Sequence, residues 1–211
     1  MAVTNSLSGT NVHEISDGIY RINTPVVFEN GRGFSFNQYL VTDDESLLFH
    51  TGPRKMFPLV HEAVASIIPV ERLCYIGISH VEADECGSLN EWLTAAPHSI
   101  PLCSTVAAMV SIEDLADRSP RPLADSEVIS LGRHRMRWMM PRICPMHGTV
   151  DICQRNRPEH YYAAICLPRV APTFRPLRNP TSSNQARSCG SDWIIFHTPR
   201  IPMRCLNGWL H

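Results

Sequence analysis

The chain of 211 residues reads as an α/β protein whose sheets are covered by helices, and three observations carry that reading. Short β-rich runs come first and pair as a hairpin. Strand and helix periods then alternate. A cluster of metal-type side chains, His80-Val81-Glu82-Ala83-Asp84-Glu85, follows directly on an apolar strand. A chain of this length can hold one sizeable core.

The runs Gly18–Ile22, Phe36–Val41 and Ser46–His50 are rich in β-branched and aromatic residues, and Thr42-Asp43-Asp44-Glu45 is the turn signal between the last two. Thr51-Gly52-Pro53 breaks the third run. Phe57, Val60, Val64 and Ile67-Ile68 then recur at helical spacing, which predicts a helix over Met56–Ile68. Leu73–Ile78 is the next strand. After the His80 cluster, Leu89, Trp92 and Leu93 share one face of a helix from about Gly87 to Ala96. Pro101–Cys103 predicts a brief strand, Thr105–Val110 a short helix, and Glu127–Leu131 with Arg135–Trp138 a last pair of strands. The polar start Met1–Ser16 has no strand assigned to it.

His80, Glu82 and Asp84 sit at i, i+2 and i+4 behind a strand, where a sheet edge presents nitrogen and oxygen donors together. Iron, manganese or zinc suits such a mixed set. The alternative for the same residues is a polar strand-to-helix loop in which all three are solvated.

Composition excludes several classes of function. The net charge of −1 calls for neither nucleic acid nor an anionic membrane. Apolar runs stay short of a membrane span, and Met1–Ser16 lacks the apolar core of a signal peptide, which makes the cytoplasm the default. None of the 8 cysteines forms a C-x-x-C pair, so free thiols are expected.

A compositional break falls at Met139. Met1–Trp138 holds 10 basic residues, 17 acids and 8 prolines; Met139–His211 holds 9 arginines, no lysine, 3 acids and 9 prolines. Periodic patterns fail almost everywhere beyond the break.

Ile78-Ser79-His80-Val81-Glu82-Ala83-Asp84-Glu85-Cys86-Gly87-Ser88-Leu89 resembles the first metal-binding loop of the metallo-β-lactamase fold. More narrowly it is similar to the diiron branch, the flavodiiron and oxygen-binding diiron proteins, which carry H-x-E-x-D. The resemblance covers roughly Val12–Trp138, the N-terminal half of an αββα sandwich. It implies His80 and Glu82 as ligands of a first metal and Asp84 as a ligand of a second. The metals would be two irons, with zinc or manganese as substitutes. The substrate would be O₂, another small oxidant or a hydrolysable molecule, and a homodimer is compatible with it. Whether the chemistry is oxidoreductase or hydrolase is left open. Flavin belongs to a separate flavodoxin-like domain in that family, so none is expected here. Two positions depart from the family pattern. Glu85 stands where a second histidine is common, and His50 where an aspartate precedes Thr-Gly; His50 is expected to be hydrogen-bonded packing rather than a ligand.

The family needs a P-H-x-P-H loop, a bridging aspartate and a late histidine, and no P-H-x-P-H occurs. His147, Asp151, His160 and His197 lie among prolines and arginines with no strand before them. Codon logic accounts for this. Joining the third base of each codon from Met139 onward to the first two of the next forces Asp-Ala across Met139-Met140-Pro141. It forces Ala across Met146-His147, and Leu across both His160-Tyr161 and Tyr161-Tyr162. The degenerate positions then permit D-A-P-H-M-P-H-A-W-D-C-G-Y-L followed by T-L-L-C-G-D-L-F, the missing features in family order. Residues 12–138 are therefore expected to form the recognisable portion of the fold and residues 139–211 an out-of-frame, irregular tail, strand-like only at Ser191–Phe196. Without its second sheet the first would leave Tyr20, Ile22, Phe36, Leu40, Leu48 and Ile76 uncovered. At roughly 25 cal/mol per Å² of apolar surface, that cost rivals the stability of a domain. Two readings of other classes stand beside the metalloprotein: an inactive frameshifted product, and a protein that binds a partner through its basic tail. The tail has no aromatic interleaving of the kind nucleic acid requires.

Overall fold

A computed structural model describes residues 1–29, 31, 33–79 and 81–139, together with the backbone of three short strands beyond them. Five strands, β1 (Ala2–Asn5), β2 (Thr10–Ser16), β3 (Ile19–Val27), β4 (Gly33–Val41) and β5 (Ser46–Phe49), form an antiparallel meander. Helix α1 (Phe57–Ala65) then crosses to β6 (Leu73–Gly77), which lies parallel to β5. The one-turn helix α2 (Ala83–Cys86) and α3 (Leu89–Ala95) lead to β7 (Ile100–Ser104). A helical stretch of α4 (Thr105–Ala107), a π-helical turn (Ala108–Ile112) and α5 (Glu113–Leu115) leads to β8 (Arg121–Leu123). Strands β6, β7 and β8 are parallel neighbours, completing an eight-stranded sheet in chain order.

The second sheet is antiparallel. Strands β9 (Val128–Ser130) and β10 (Arg135–Met139) pair with each other, and β10 continues to β11 (Ala164–Pro168), β13 (Trp193–Ile195) and β12 (Arg187–Ser188). Strand β13 falls inside the run that reads as strand-like. Strands β11 and β12 lie where an irregular chain is expected; Ala164-Ile165-Cys166-Leu167 is an apolar run hidden among prolines and arginines.

Alternation along the strands divides the core in two. One face packs Val12, Ile22, Leu40, Leu48 and Ile76 against Val60 and Val64 of α1 and Leu89, Trp92 and Leu93 of α3. The opposite face packs Ile19, Tyr39, Val41, Leu47, Phe49, Leu102 and Leu123 against Ile129, Leu131, Met136 and Trp138 of the second sheet. This corrects one expectation. Ile22, Leu40, Leu48 and Ile76 are covered by helices, with Tyr20 against the same cluster, and do not face the second sheet. A period of two fixes which residues share a face but not which face meets which layer. Phe36 belongs to neither cluster and meets Phe34 edge-on at 4.7 Å.

The polar start also proves structured. Strands β1 and β2 extend the sheet, with Thr10 Oγ1 and Thr24 Oγ1 3.1 Å apart and fully enclosed across the β2–β3 pair. Helices α1 and α3 bury the faces that their spacing predicts. Among the described residues no helix is long and apolar enough to cross a membrane, and Cys74, Cys86 and Cys103 are free thiols.

Candidate metal centre

Two parallel neighbours, β5 and β6, bring two loops together at one end of the first sheet. Strand β5 ends in His50-Thr51-Gly52, and β6 ends at the loop that carries the H-x-E-x-D motif. His50 adopts φ 64°, and Gly52 follows at φ 80°. For a residue with a Cβ the left-handed region is uncommon and persists only where the surroundings hold it.

Those surroundings are visible. The His50 N–H donates to Gly77 O at 2.8 Å and the Thr51 N–H to Glu85 O at 2.7 Å. Thr51 Oγ1 donates to the same carbonyl at 3.0 Å, and Ser88 Oγ donates to Thr51 O at 2.8 Å. The Phe49 ring stacks on the His50 imidazole with centroids 4.1 Å apart. The two loops are thus laced by main-chain and hydroxyl hydrogen bonds, with water kept out; Thr51 and Ser88 are both fully buried.

Glu82 precedes α2 with extended backbone, and its carbonyl accepts the N–H groups of Glu85 and Cys86 at 2.9 Å each. Its side chain is exposed, while Asp84, in the first turn of α2, is half-buried. Beside them a groove of about 380 Å³ is lined by Arg54, Val81, Glu82, Cys86, Asn90 and Glu91 among others. Arg54 Nε donates to Glu91 Oε1 at 2.5 Å on its rim. Burial, and then the carboxylates of Glu85 and Asp84, push the Cys86 thiol up, so it stays protonated at neutral pH.

Of the three expected ligands, His80 lies outside the described residues, as do His147, Asp151, His160 and His197. Glu82 and Asp84 are both at the end of β6, on and just inside one helical turn. Two carboxylates fit iron or another oxygen-seeking cation in kind, but they fall short in number: among the described residues no three His, Cys, Asp or Glu side chains are grouped to hold a metal ion.

Glu85 points the other way. Its side chain is 1% exposed, and Oε2 lies 2.5 Å from Ser79 Oγ and 3.2 Å from His50 Nε2. His50 Nε2 is also 2.8 Å from Ser79 Oγ. His50 therefore makes the hydrogen bonds that a packing role predicts. What sequence reasoning missed is its partner. The signal was there in two departures from the family pattern, at positions 50 and 85, which meet in space.

Residues 34–148, more than half of the chain, match the family described as ODP family beta lactamase. The chain belongs to that family. The match begins in β4, includes the whole H-x-E-x-D loop and runs past Trp138 into the segment where periodic patterning fails. An anaerobic nitric oxide reductase flavorubredoxin from Enterobacter sp. is 32% identical over 76 residues, 36% of this chain but only 16% of that protein. The rubredoxin oxygen:oxidoreductase of Desulfovibrio gigas shares the fold with a TM-score of 0.57 at 20% identity, covering 74% of this chain and 38% of that one. A flavo di-iron protein of Thermotoga maritima does so with a TM-score of 0.58 at 16% identity, covering 75% and 39%. This ODP-family chain thus has the metallo-β-lactamase-like fold of the diiron branch, and it spans well under half the length of these relatives.

Proposed function

We propose that the chain is a metal-binding protein of the diiron type whose metal centre is incomplete as written. The observation that carries this is the loop after β6. It belongs to a family match, it presents Glu82 and Asp84 at one end of the sheet, and it is laced to the end of β5 by buried hydrogen bonds. His80 and Glu82 would hold a first iron and Asp84 a second. Glutamate in place of a neutral imidazole adds negative charge at the first position, which favours iron in its higher oxidation states. When bound, such a pair supplies redox chemistry toward O₂ or nitric oxide, or a polarised water for hydrolysis. The relatives named for nitric oxide and oxygen reduction favour the redox reading. A flavin would come from another domain, and the cytoplasm is the compartment this chemistry suits.

The incompleteness has a specific support. Residues 12–138 carry the metallo-β-lactamase-like pattern. In residues 139–211 a neighbouring frame permits the family's paired-histidine loop, and its forced codons agree with that loop. On this reading the chain is an impaired, frameshifted form of an active protein. Purified as written, it should contain far less than two irons per chain, since three protein ligands divided between two metals leave each with one or two. Elemental analysis showing close to two irons would overturn the proposal. The nucleotide sequence across the codons for Trp138 to Met140 tests the frame directly.

A further inference from the structure

Ser79 is the residue just before the first expected ligand, and Glu85 the residue just after the last. Their side chains meet at 2.5 Å, joining the two residues that flank the motif in the chain. His50 reaches the same junction from β5, 2.8 Å from Ser79 Oγ and 3.2 Å from Glu85 Oε2. The three side chains are enclosed, at 4% and 1% exposure for His50 and Glu85.

We infer that His50, Ser79 and Glu85 form a buried clamp that positions the metal loop, with Glu85 acting on that loop through His50 and Ser79 rather than as a metal donor. The inference rests on the metal-loop reading above. Geometry assigns the roles. Ser79 Oγ–H donates to the Glu85 carboxylate, so His50 donates its Nε2–H to the serine oxygen and toward the same carboxylate. Glu85 is held a second time through its main chain, whose carbonyl accepts from Thr51 N–H and Oγ1–H. Phe49 stacks on the imidazole and Gly77 fixes its backbone amide, which keeps His50 at its positive φ. A fully satisfied buried network of this kind rigidifies what it joins, and a half-satisfied one does not. Groups that orient ligands without touching the metal commonly change its affinity by about 10- to 100-fold when removed.

The test uses the full chain and cobalt(II) as the probe, read by its visible absorption, together with amide hydrogen exchange of segments 50–52 and 83–88. Glu85→Gln keeps an acceptor for Ser79 and His50, so cobalt affinity should stay within about twofold of the parent. Glu85→Ala and His50→Ala should each weaken it about tenfold and speed exchange in both segments. The double Ala variant should be no worse than either single one. If Glu85→Gln weakens cobalt as much as Glu85→Ala, Glu85 is a donor and the clamp assignment fails. Additive exchange effects in the double variant would overturn it as well. Glu82→Ala judges the metal loop separately. Should it leave the cobalt affinity unchanged, the metal-loop reading fails; a parent with no cobalt band fits the incomplete centre proposed above, and in either case the exchange data alone decide the clamp.

Discussion

At the scale of single residues, close packing around the H-x-E-x-D loop leaves little room for change. A Cβ on Gly87 would lie 2.2 Å from Ala83 O and 3.2 Å from Arg54 N. Both are backbone atoms, so neither can rotate aside. Gly87→Ala should therefore lower stability by about 1–3 kcal/mol, the usual cost of overpacking, and the urea midpoint measures it. The glycine's φ of −63° is ordinary, so the effect comes from space alone. A midpoint unchanged from the parent would mean that the turn of α2 sits further from the β5 loop than the contacts imply. His50 and Glu85 teach a related lesson. Each alone looks like a departure from the family pattern. Only their contact at 3.2 Å shows that the two departures belong together.

At the scale of elements, the end of β5 opposite the H-x-E-x-D loop is pinned by Asp43. From the β4–β5 turn its carboxylate accepts the N–H of His134 at 2.7 Å and the His134 ring nitrogen Nδ1 at 2.6 Å, and the N–H of Arg133 at 3.1 Å. The His134 Nε2 faces Asp17 O at 3.0 Å, which ties the β2–β3 turn into the same knot. Gly132, at φ 126°, makes the close approach feasible, since a Cβ there would lie 2.4 Å from Asp43 Oδ1. Burial alone would raise the Asp43 carboxyl. The hydrogen bonds from His134, Asp44 and Arg133 outweigh it and hold the group down at about 2, against 3.8 when free. A depressed carboxylate contributes stability that is complete above the free value and is lost as pH falls through 3.8 toward 2. That contribution is about 2 kcal/mol by linkage. Asp43→Asn should thus lower the urea midpoint at neutral pH, with the gap to the parent closing between pH 4 and 2. A gap that stays constant over that range would show that the carboxylate's charge has no part in joining the two sheets.

At the scale of the whole molecule, the decisive prediction is repair. Inserting one base before the codon for Met140, or deleting two, should restore the P-H-x-P-H loop and the bridging aspartate. The repaired protein should bind two metals and unfold cooperatively at a higher temperature than the present chain, as metal binding to a native site requires. Metal analysis and a thermal scan read both effects. A repaired chain that stays metal-free and no more stable would make the forced codons a coincidence, and the arginine-rich tail would then need a partner to explain it.

The α/β class, the faces of α1 and α3, the β4–β5 hairpin and the place of the H-x-E-x-D loop behind β6 are legible in the residues alone. These follow from local spacing: 3.6 and 2 residue periods, turn residues, and donors next to a strand end. Strand β2 was not legible, because its Thr10 and Asn11 are buried polar residues that break the apolar alternation; Thr10 meets Thr24 at 3.1 Å and Asn11 Nδ2 donates to Asn23 Oδ1 across the β2–β3 pair. The role of Tyr20, Ile22, Leu40, Leu48 and Ile76 was misjudged for a different reason. Period tells which residues point together, while the layer they meet is set by how the chain crosses over the sheet. The contact of His50 with Ser79 in the clamp and that of Asp43 with His134 in the knot join residues 29 and 91 positions apart. No local pattern encodes such pairs. These polar groups find each other because the fold brings strand ends together in a buried place, where each left unpaired would be costly.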